Sequence, residues 1–177
     1  MNYLDKMKGR TQSPPRVGPG EIVLSWIGSF AGIAAVGLIH FHLLDQTGLA
    51  MIIGSFGASA VLIYGAIRSP LAQPRNLIGG HVFSAVIGVA AFQFLGQIPW
   101  LAAAMAVSTA IAFMHLTKTL HPPGGATALI AVIGGDAVHN LGYLYALVPA
   151  GSGALVMLII ALVINNMAPN RRYPEFW

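Results

Sequence analysis

Lys118 to Asp136 reads KTLHPPGGATALIAVIGGD, and the form this stretch takes decides the fold. It is too apolar for a surface loop, yet too short and interrupted for an ordinary membrane helix. Pro122 and Pro123 lack backbone N–H groups, and Gly124 and Gly125 permit backbone shapes that other residues resist. The expectation is a short helix beginning at about Gly125, with the N–H groups of its first turn unpaired. At membrane depth such a helix start is an anion site. The chain must therefore first be shown to be a membrane protein.

Composition answers that. Of 177 residues, 56% are hydrophobic and only 8% charged, with a mean hydropathy of +0.73, whereas soluble domains carry about 25% charged residues. The chain reads as an integral membrane protein, with a length that suits one compact bundle. Its net charge of +4 does not point to nucleic acid, because the basic residues sit at the ends of apolar runs and orient the protein in lipid. The chain has no cysteine, which excludes disulfides, iron–sulfur clusters and thiol catalysis. Residues 1–20 form a polar, basic, Pro/Gly-rich arm with no apolar core and cleavage site, so no signal peptide is expected.

Working outward from the opening stretch, five further apolar runs appear. They are Ile22 to Leu44, Gly48 to Ile67 (broken by GSFGAS at Gly54 to Ser59), Asn76 to Leu95, Pro99 to Thr117, and Leu141 to Met167. Several carry small residues four apart: Gly28, Gly32 and Ala35; Gly80, Ser84 and Gly88; Ala102, Ala106 and Ala110; Gly142, Ala146, Ala150 and Ala154. Close helix packing accounts for these stripes. If all six runs cross and the N-terminal arm is cytoplasmic, every Lys and Arg falls inside, while Asp45 and Asp136 face out. Models with fewer crossings strand arginines outside, against the positive-inside rule.

The resulting fold class is all-α, a polytopic membrane bundle of six segments spanning 21–170, with a short cytoplasmic tail at 171–177. Gly57-Ala58-Ser59-Ala60 in the second segment reads like Gly125-Ala126-Thr127-Ala128 in the fifth. Each lies in the middle of a three-segment unit, and three crossings turn the second unit upside down. Inverted repeats with interrupted middle helices are a recurrent transporter design, with the substrate near the bilayer midplane. The anion-binding candidates are therefore Gly57, Ala58, Ser59, Gly124, Gly125, Ala126 and Thr127, at two helix starts that carry partial positive charge. Close helix crossings are the plainer reading of the same residues.

Other polar residues at depth extend the candidate pathway. His115 and Lys118, three apart at the end of the fourth run, read as a basic vestibule or as snorkelling interfacial side chains. His121 is placed to donate to an anion, to carry a proton, or to cap the preceding helix. His81, inside the third run after Gly79-Gly80, is a functional candidate because ionisable groups in membranes are costly. Arg75 sits near a helix start, where a cation needs compensation. No His cluster has metal-ligand spacing, including His40 and His42, so neither metal nor cofactor is expected.

Three stretches together resemble a known family: GSFGASAVLIYGAIRSPLAQPRNLIGGHVFSAVIGV (Gly54 to Val89), LHPPGGATALIAVIGG (Leu120 to Gly135) and NNMAPNRRYPEFW (Asn165 to Trp177). They are similar to the HPP family of small integral membrane proteins, named for the motif matched by His121-Pro122-Pro123, with Gln73-Pro74-Arg75 as a second matching element. The resemblance implies a bacterial inner-membrane or plastid-envelope protein, here with no appended regulatory domain expected; the charge pattern places both termini in the cytoplasm. Plastid and cyanobacterial-type members are associated with nitrite transport, which implies an anion permease. The family is usually described with four spans, against the six read here.

The expected function is a transporter or channel for nitrite or a similar small monovalent anion, with lipid and further copies of the chain as partners. Two alternatives are a non-transporting scaffold subunit and a membrane-embedded enzyme using His121. Against the enzyme stands the poverty of carboxylates in the spans.

Overall fold

The computed structural model of the protein describes residues 2–9, 11–44, 47, 49 and 51–177. Arg10, Asp45 and Gly48, used in the sequence reading, lie outside them. The described chain is helical, and four helices are long and apolar enough to cross a membrane: Pro19–Leu44, Pro74–Leu95, Pro99–Thr117 and Ala146–Asn165. Two shorter apolar helices, Ser55–Gly65 and Pro122–Ile133, stand between them. We number the regular α-helical parts α1 (Pro19–Ile39), α2 (Ser55–Ala60), α3 (Pro74–Leu95), α4 (Pro99–Thr117), α5 (Pro122–Ile133), α6 (Asp136–His139) and α7 (Ser152–Asn165).

Proline sets four of the starts. Pro19, Pro74, Pro99 and Pro122 each stand at the first helical position, where the missing N–H has no helical partner anyway and the fixed φ suits the turn. This moves the start of α5 from the expected Gly125 back to Pro122, placing both glycines inside the helix. At the other end of α4, Lys118 adopts the left-handed conformation (φ 58°) and terminates the helix. The expected Lys118–His115 pair on one helical face is therefore not formed. Before α7, Pro149 drives Val148 out of the helical region (φ −131°, ψ 116°).

Most members of the small-residue stripes are buried and serve packing; Ala35 is half-buried, and Gly142 does not extend its stripe because it stands in a turn (φ 50°) ahead of the last long helix. Gly28 and Gly32 of α1 receive the ring of Tyr64, and Gly88 of α3 lies against Ala128 and Ala131 of α5. Gly153 of α7 lies under Phe56, at the start of α2. Helix α3 packs on α4, α5 and α7, α1 packs on α7, and α2 passes alongside α5. One end of the bundle gathers the start of α1, the exit of α2, the start of α3 and the exit of α7. There Asn165 Nδ2 donates to the Ile63 carbonyl (2.8 Å) and Arg171 grips Glu21. The α4–α5 junction joins them, with Asn76 Nδ2 donating to the Leu120 carbonyl (2.9 Å). Arg68, Arg75, Lys118, Arg171 and Arg172 therefore share one end. At the opposite end His139 stacks on Phe92, the ring centroids 3.6 Å apart.

Candidate functional site

The two short helices run past each other side by side. Ser55, at the start of α2, reaches Thr127 inside α5, while Ser59 reaches His121 at the N-cap of α5. His81 of α3 fills the space between them. Because Pro122 follows, His121 is held extended (φ −141°, ψ 105°). Its Cβ lies where a side chain on Gly80 would stand, 2.5 Å from that position, and Thr119 fills the space over Gly79 in the same way. The Gly79-Gly80 pair is thus the seat that lets the His121 segment lie against α3.

The polar side chains form one connected chain. His121 Nδ1 lies 2.8 Å from the Leu71 carbonyl, and its Nε2 lies 2.9 Å from Ser59 Oγ. The same Ser59 oxygen lies 2.7 Å from His81 Nε2, and His81 Nδ1 lies 2.7 Å from Thr127 Oγ1. Thr127 Oγ1 is within donating distance of Ser55 Oγ (2.9 Å) and of the Pro123 carbonyl (3.2 Å). Tyr145 closes the far side by donating to the Thr127 carbonyl (3.2 Å). Ser59, His81, His121 and Thr127 are all fully buried. Phe56 packs edge-on against His81, the ring centroids 5.2 Å apart. No carboxylate, lysine or arginine among the described residues bonds to this chain.

The sequence candidates divide accordingly. Ser59, Thr127, His81 and His121 meet, with Gly124 buried beside them against the Gly80 carbonyl. Gly57 and Ala58 lie on the exposed face of α2. Gly125 and Ala126 face a separate groove of about 580 Å³ between α4 and α5, which His115 also lines. The backbone amides are largely spoken for. Pro122 and Pro123 have none, and Gly124 donates to the His121 carbonyl (2.8 Å). Phe56 donates to Ile53 (3.0 Å) and Gly57 to Gly54 (3.2 Å). What the helix starts turn toward each other is side-chain chemistry. Sequence reasoning missed Ser55 and the Leu71 carbonyl. Ser55 carried a signal, since it stands four residues before Ser59 and so shares its helical face.

A family model described as "HPP, transmembrane region" matches residues 14–174. The chain belongs to the HPP transmembrane family. Two proteins of Dictyostelium discoideum, each named only as a transmembrane protein, are similar to this HPP protein. One is 47% identical over 180 residues, covering 100% of this chain and 58% of its own length. The other is 46% identical over 172 residues, covering 96% and 60%. The HPP chain thus spans about three-fifths of the length of the curated relatives it matches. No solved structure matches it.

The residues that carried the resemblance are architectural as well as polar in this HPP protein. His121-Pro122-Pro123 forms the N-cap and first turn of α5. Gln73 is a buried clamp. Its Nε2 donates to the Ile67 (2.9 Å) and Ser69 (2.8 Å) carbonyls, and its Oε1 accepts from Glu175 N–H (2.8 Å). Pro74 starts α3, and the exposed Arg75 lies over the Phe176 ring, 5.9 Å from its centroid. That contact supplies compensation for a cation at a helix start. The vestibule candidates Lys118 and His115 are both exposed and belong to the basic end and the α4–α5 groove, apart from the buried chain.

Proposed function

We propose that this HPP protein is a membrane transporter or channel for nitrite or a similar small monovalent anion. The observation that carries the reading is the buried junction of Ser59, Thr127, His81 and His121, between two short helices and among helices of membrane-spanning length. Polar groups at such depth are costly and mark substrate paths. Hydroxyl and imidazole donors suit a small anion, because they bind it without a fixed full charge and so let it leave. The positive ends of the two short helices add to the attraction.

In this reading the protein has six crossings arranged as two inverted three-segment units. The packing pattern supports it. The first segment pairs with the sixth as the fourth pairs with the third, and the first meets the second as the fourth meets the fifth. The second also touches the sixth as the fifth touches the third. With the Arg68, Arg75, Lys118 and Arg171 end placed inside by the positive-inside rule, both termini are cytoplasmic, in a bacterial inner membrane. Lipid, the anion and further copies of the chain are its partners.

A static scaffold is the second reading, favoured by the full burial of the four side chains. An enzyme is less favoured, since the ring of His121 is committed at both nitrogens to Leu71 and Ser59. Nitrite influx into liposomes containing the purified full chain separates these readings. Influx above protein-free vesicles that falls with Ser59→Val supports transport. Influx equal to that of protein-free vesicles sinks it.

A further inference from the structure

We propose that Thr127, His81, Ser59 and His121 form a two-state proton relay, so that one proton moves with each anion. The proposal rests on the transport reading for its anion but on hydrogen counting for its relay. A carbonyl oxygen only accepts, so His121 Nδ1 carries a hydrogen toward Leu71. In a neutral His121 the bare Nε2 must accept, and its partner is Ser59 Oγ. That commits the single hydroxyl hydrogen of Ser59, so the serine oxygen accepts from His81 Nε2–H. The bare Nδ1 of His81 then accepts from Thr127 Oγ1–H. Each donor is used once, and the chain points from Thr127 to Leu71.

One added proton reverses the chain without moving a heavy atom. Thr127 passes its hydrogen to His81 Nδ1 and takes in its place a proton from a hydronium ion, which leaves as water. His81 passes its Nε2 hydrogen to Ser59, and Ser59 passes its own to His121 Nε2. His121 is now doubly protonated and donates from Nε2 to Ser59, Ser59 donates to His81 Nε2, and His81 Nδ1 donates to Thr127. The Thr127 hydrogen turns to Ser55 Oγ or the Pro123 carbonyl, both already within reach. The net change is one hydrogen and one positive charge, placed on His121.

Release is gated. If the Nδ1 proton of His121 left in place, a bare nitrogen would face the Leu71 oxygen at 2.8 Å, two lone pairs in contact. The proton therefore stays until the Leu71 segment moves away, which ties proton exit to a conformational step. Leu71 returns only onto a hydrogen-bearing Nδ1, so in that opened state both rings exchange tautomers through water and the chain regains its starting direction. The titratable groups facing the relay are the two imidazoles themselves and Tyr145, which reaches it through the Thr127 carbonyl. Helix α2 contributes only hydroxyls and Phe56, and no carboxylate, lysine or arginine among the described residues bonds to either ring. An imidazolium formed there lacks a protein counter-ion, and the anion supplies one.

Two measurements on the purified full chain test this. Nitrogen-15 histidine spectra are expected to give opposite neutral tautomers, Nδ1–H on His121 and Nε2–H on His81. On acidification His81 should switch to Nδ1–H in the same step that doubly protonates His121, and Ser59→Ala should uncouple the two. Identical neutral tautomers, or independent titration in the wild type, overturn the relay. In liposomes, with protein-free vesicles subtracted, the initial rate of nitrite uptake should rise with an inward acid gradient and ignore an imposed membrane potential. In Ser59→Ala the acceleration by acid should disappear. Wild-type uptake that follows the potential and ignores the gradient overturns the coupling. Coupled tautomers in a protein that moves no nitrite leave the relay standing and sink the transport reading instead.

Discussion

Arg171 grips Glu21 with two hydrogen bonds, Nη2 to Oε1 at 2.6 Å and Nε to Oε2 at 3.0 Å, and so ties the exit of α7 to the first turn of α1. Its Nη1 donates to Asn165 Oδ1 (3.0 Å), and Asn165 in turn holds the Ile63 carbonyl in the last turn of the Ser55–Gly65 helix, beyond α2. The arginine side chain is 2% exposed and the glutamate 28%. Removing the carboxylate leaves a buried guanidinium without its counter-charge. Glu21→Ala is expected to cost about 2–3 kcal/mol, at the lower end for a broken pair because Glu21 touches solvent. Arg171→Lys loses the fork and falls in between. Thermal unfolding in detergent reads both, and an unchanged midpoint for Glu21→Ala would refute the tie.

Tyr64 lies in a notch that only glycine leaves open. A Cβ on Gly28 would stand 2.7 Å from the ring, and one on Gly32 would collide with the phenol oxygen. That hydroxyl donates to the Met157 carbonyl (3.0 Å), so one side chain joins α1, the end of the Ser55–Gly65 helix and α7. Gly32→Ala is expected to destabilise by about 1–3 kcal/mol through overpacking. Tyr64→Phe in the same background removes the colliding atom and should recover part of that loss. A double mutant that is merely additive would show that the two residues do not meet.

How far the sequence went is visible in these same residues. Pro99 and Thr117 bound a helix in the sequence reading and in the structure, because an apolar run between a proline and a polar stop is local information. Ser59, Thr127, His81 and His121 each stood out for being polar in an apolar run. Their meeting did not, because contacts between segments tens of residues apart depend on packing that no local pattern encodes. The amide-lined cradle was expected from the glycines, but the prolines that mark the site also remove its donors. Arg171 reads in the sequence as one more membrane-flanking cation and Glu21 carries no signal of its own, since nothing in either neighbourhood points to the other.

The tail that follows Arg171 is also held. Tyr173 is 2% exposed and donates its hydroxyl to the Ala72 carbonyl (2.7 Å). Burial pushes its phenol pKa up from the ordinary 10.0. The folded state therefore keeps a proton that the unfolded chain gives up near pH 10, so the contribution of Tyr173 is complete below that pH and declines above it. Wild type should exceed Tyr173→Phe by about 1 kcal/mol near neutral pH. The margin should shrink as pH rises past 10, and a margin that grows instead would reverse the sign. Unfolding midpoints of the two proteins at pH 8 and pH 11 supply the comparison.

Adjacent glycines at the start of α5 make opposite demands. On Gly124 a Cβ would stand 2.6 Å from the Gly80 carbonyl oxygen and 2.9 Å from Ser84 Oγ, both on α3. On Gly125 the nearest atom would be Val107 Cγ1 at 3.9 Å, an ordinary contact. Gly124→Ala must therefore push α5 away from α3, carrying His121 with it, at a cost of about 1–3 kcal/mol. Gly125→Ala adds no clash and removes the helix penalty of glycine, for a gain of about 0.5–1 kcal/mol. Because Gly125 faces the α4–α5 groove and not the buried histidines, the proposed nitrite uptake should survive Gly125→Ala and fall in Gly124→Ala. Equal losses in the two variants would mean that the anion's path runs along the groove, on the other side of the helix.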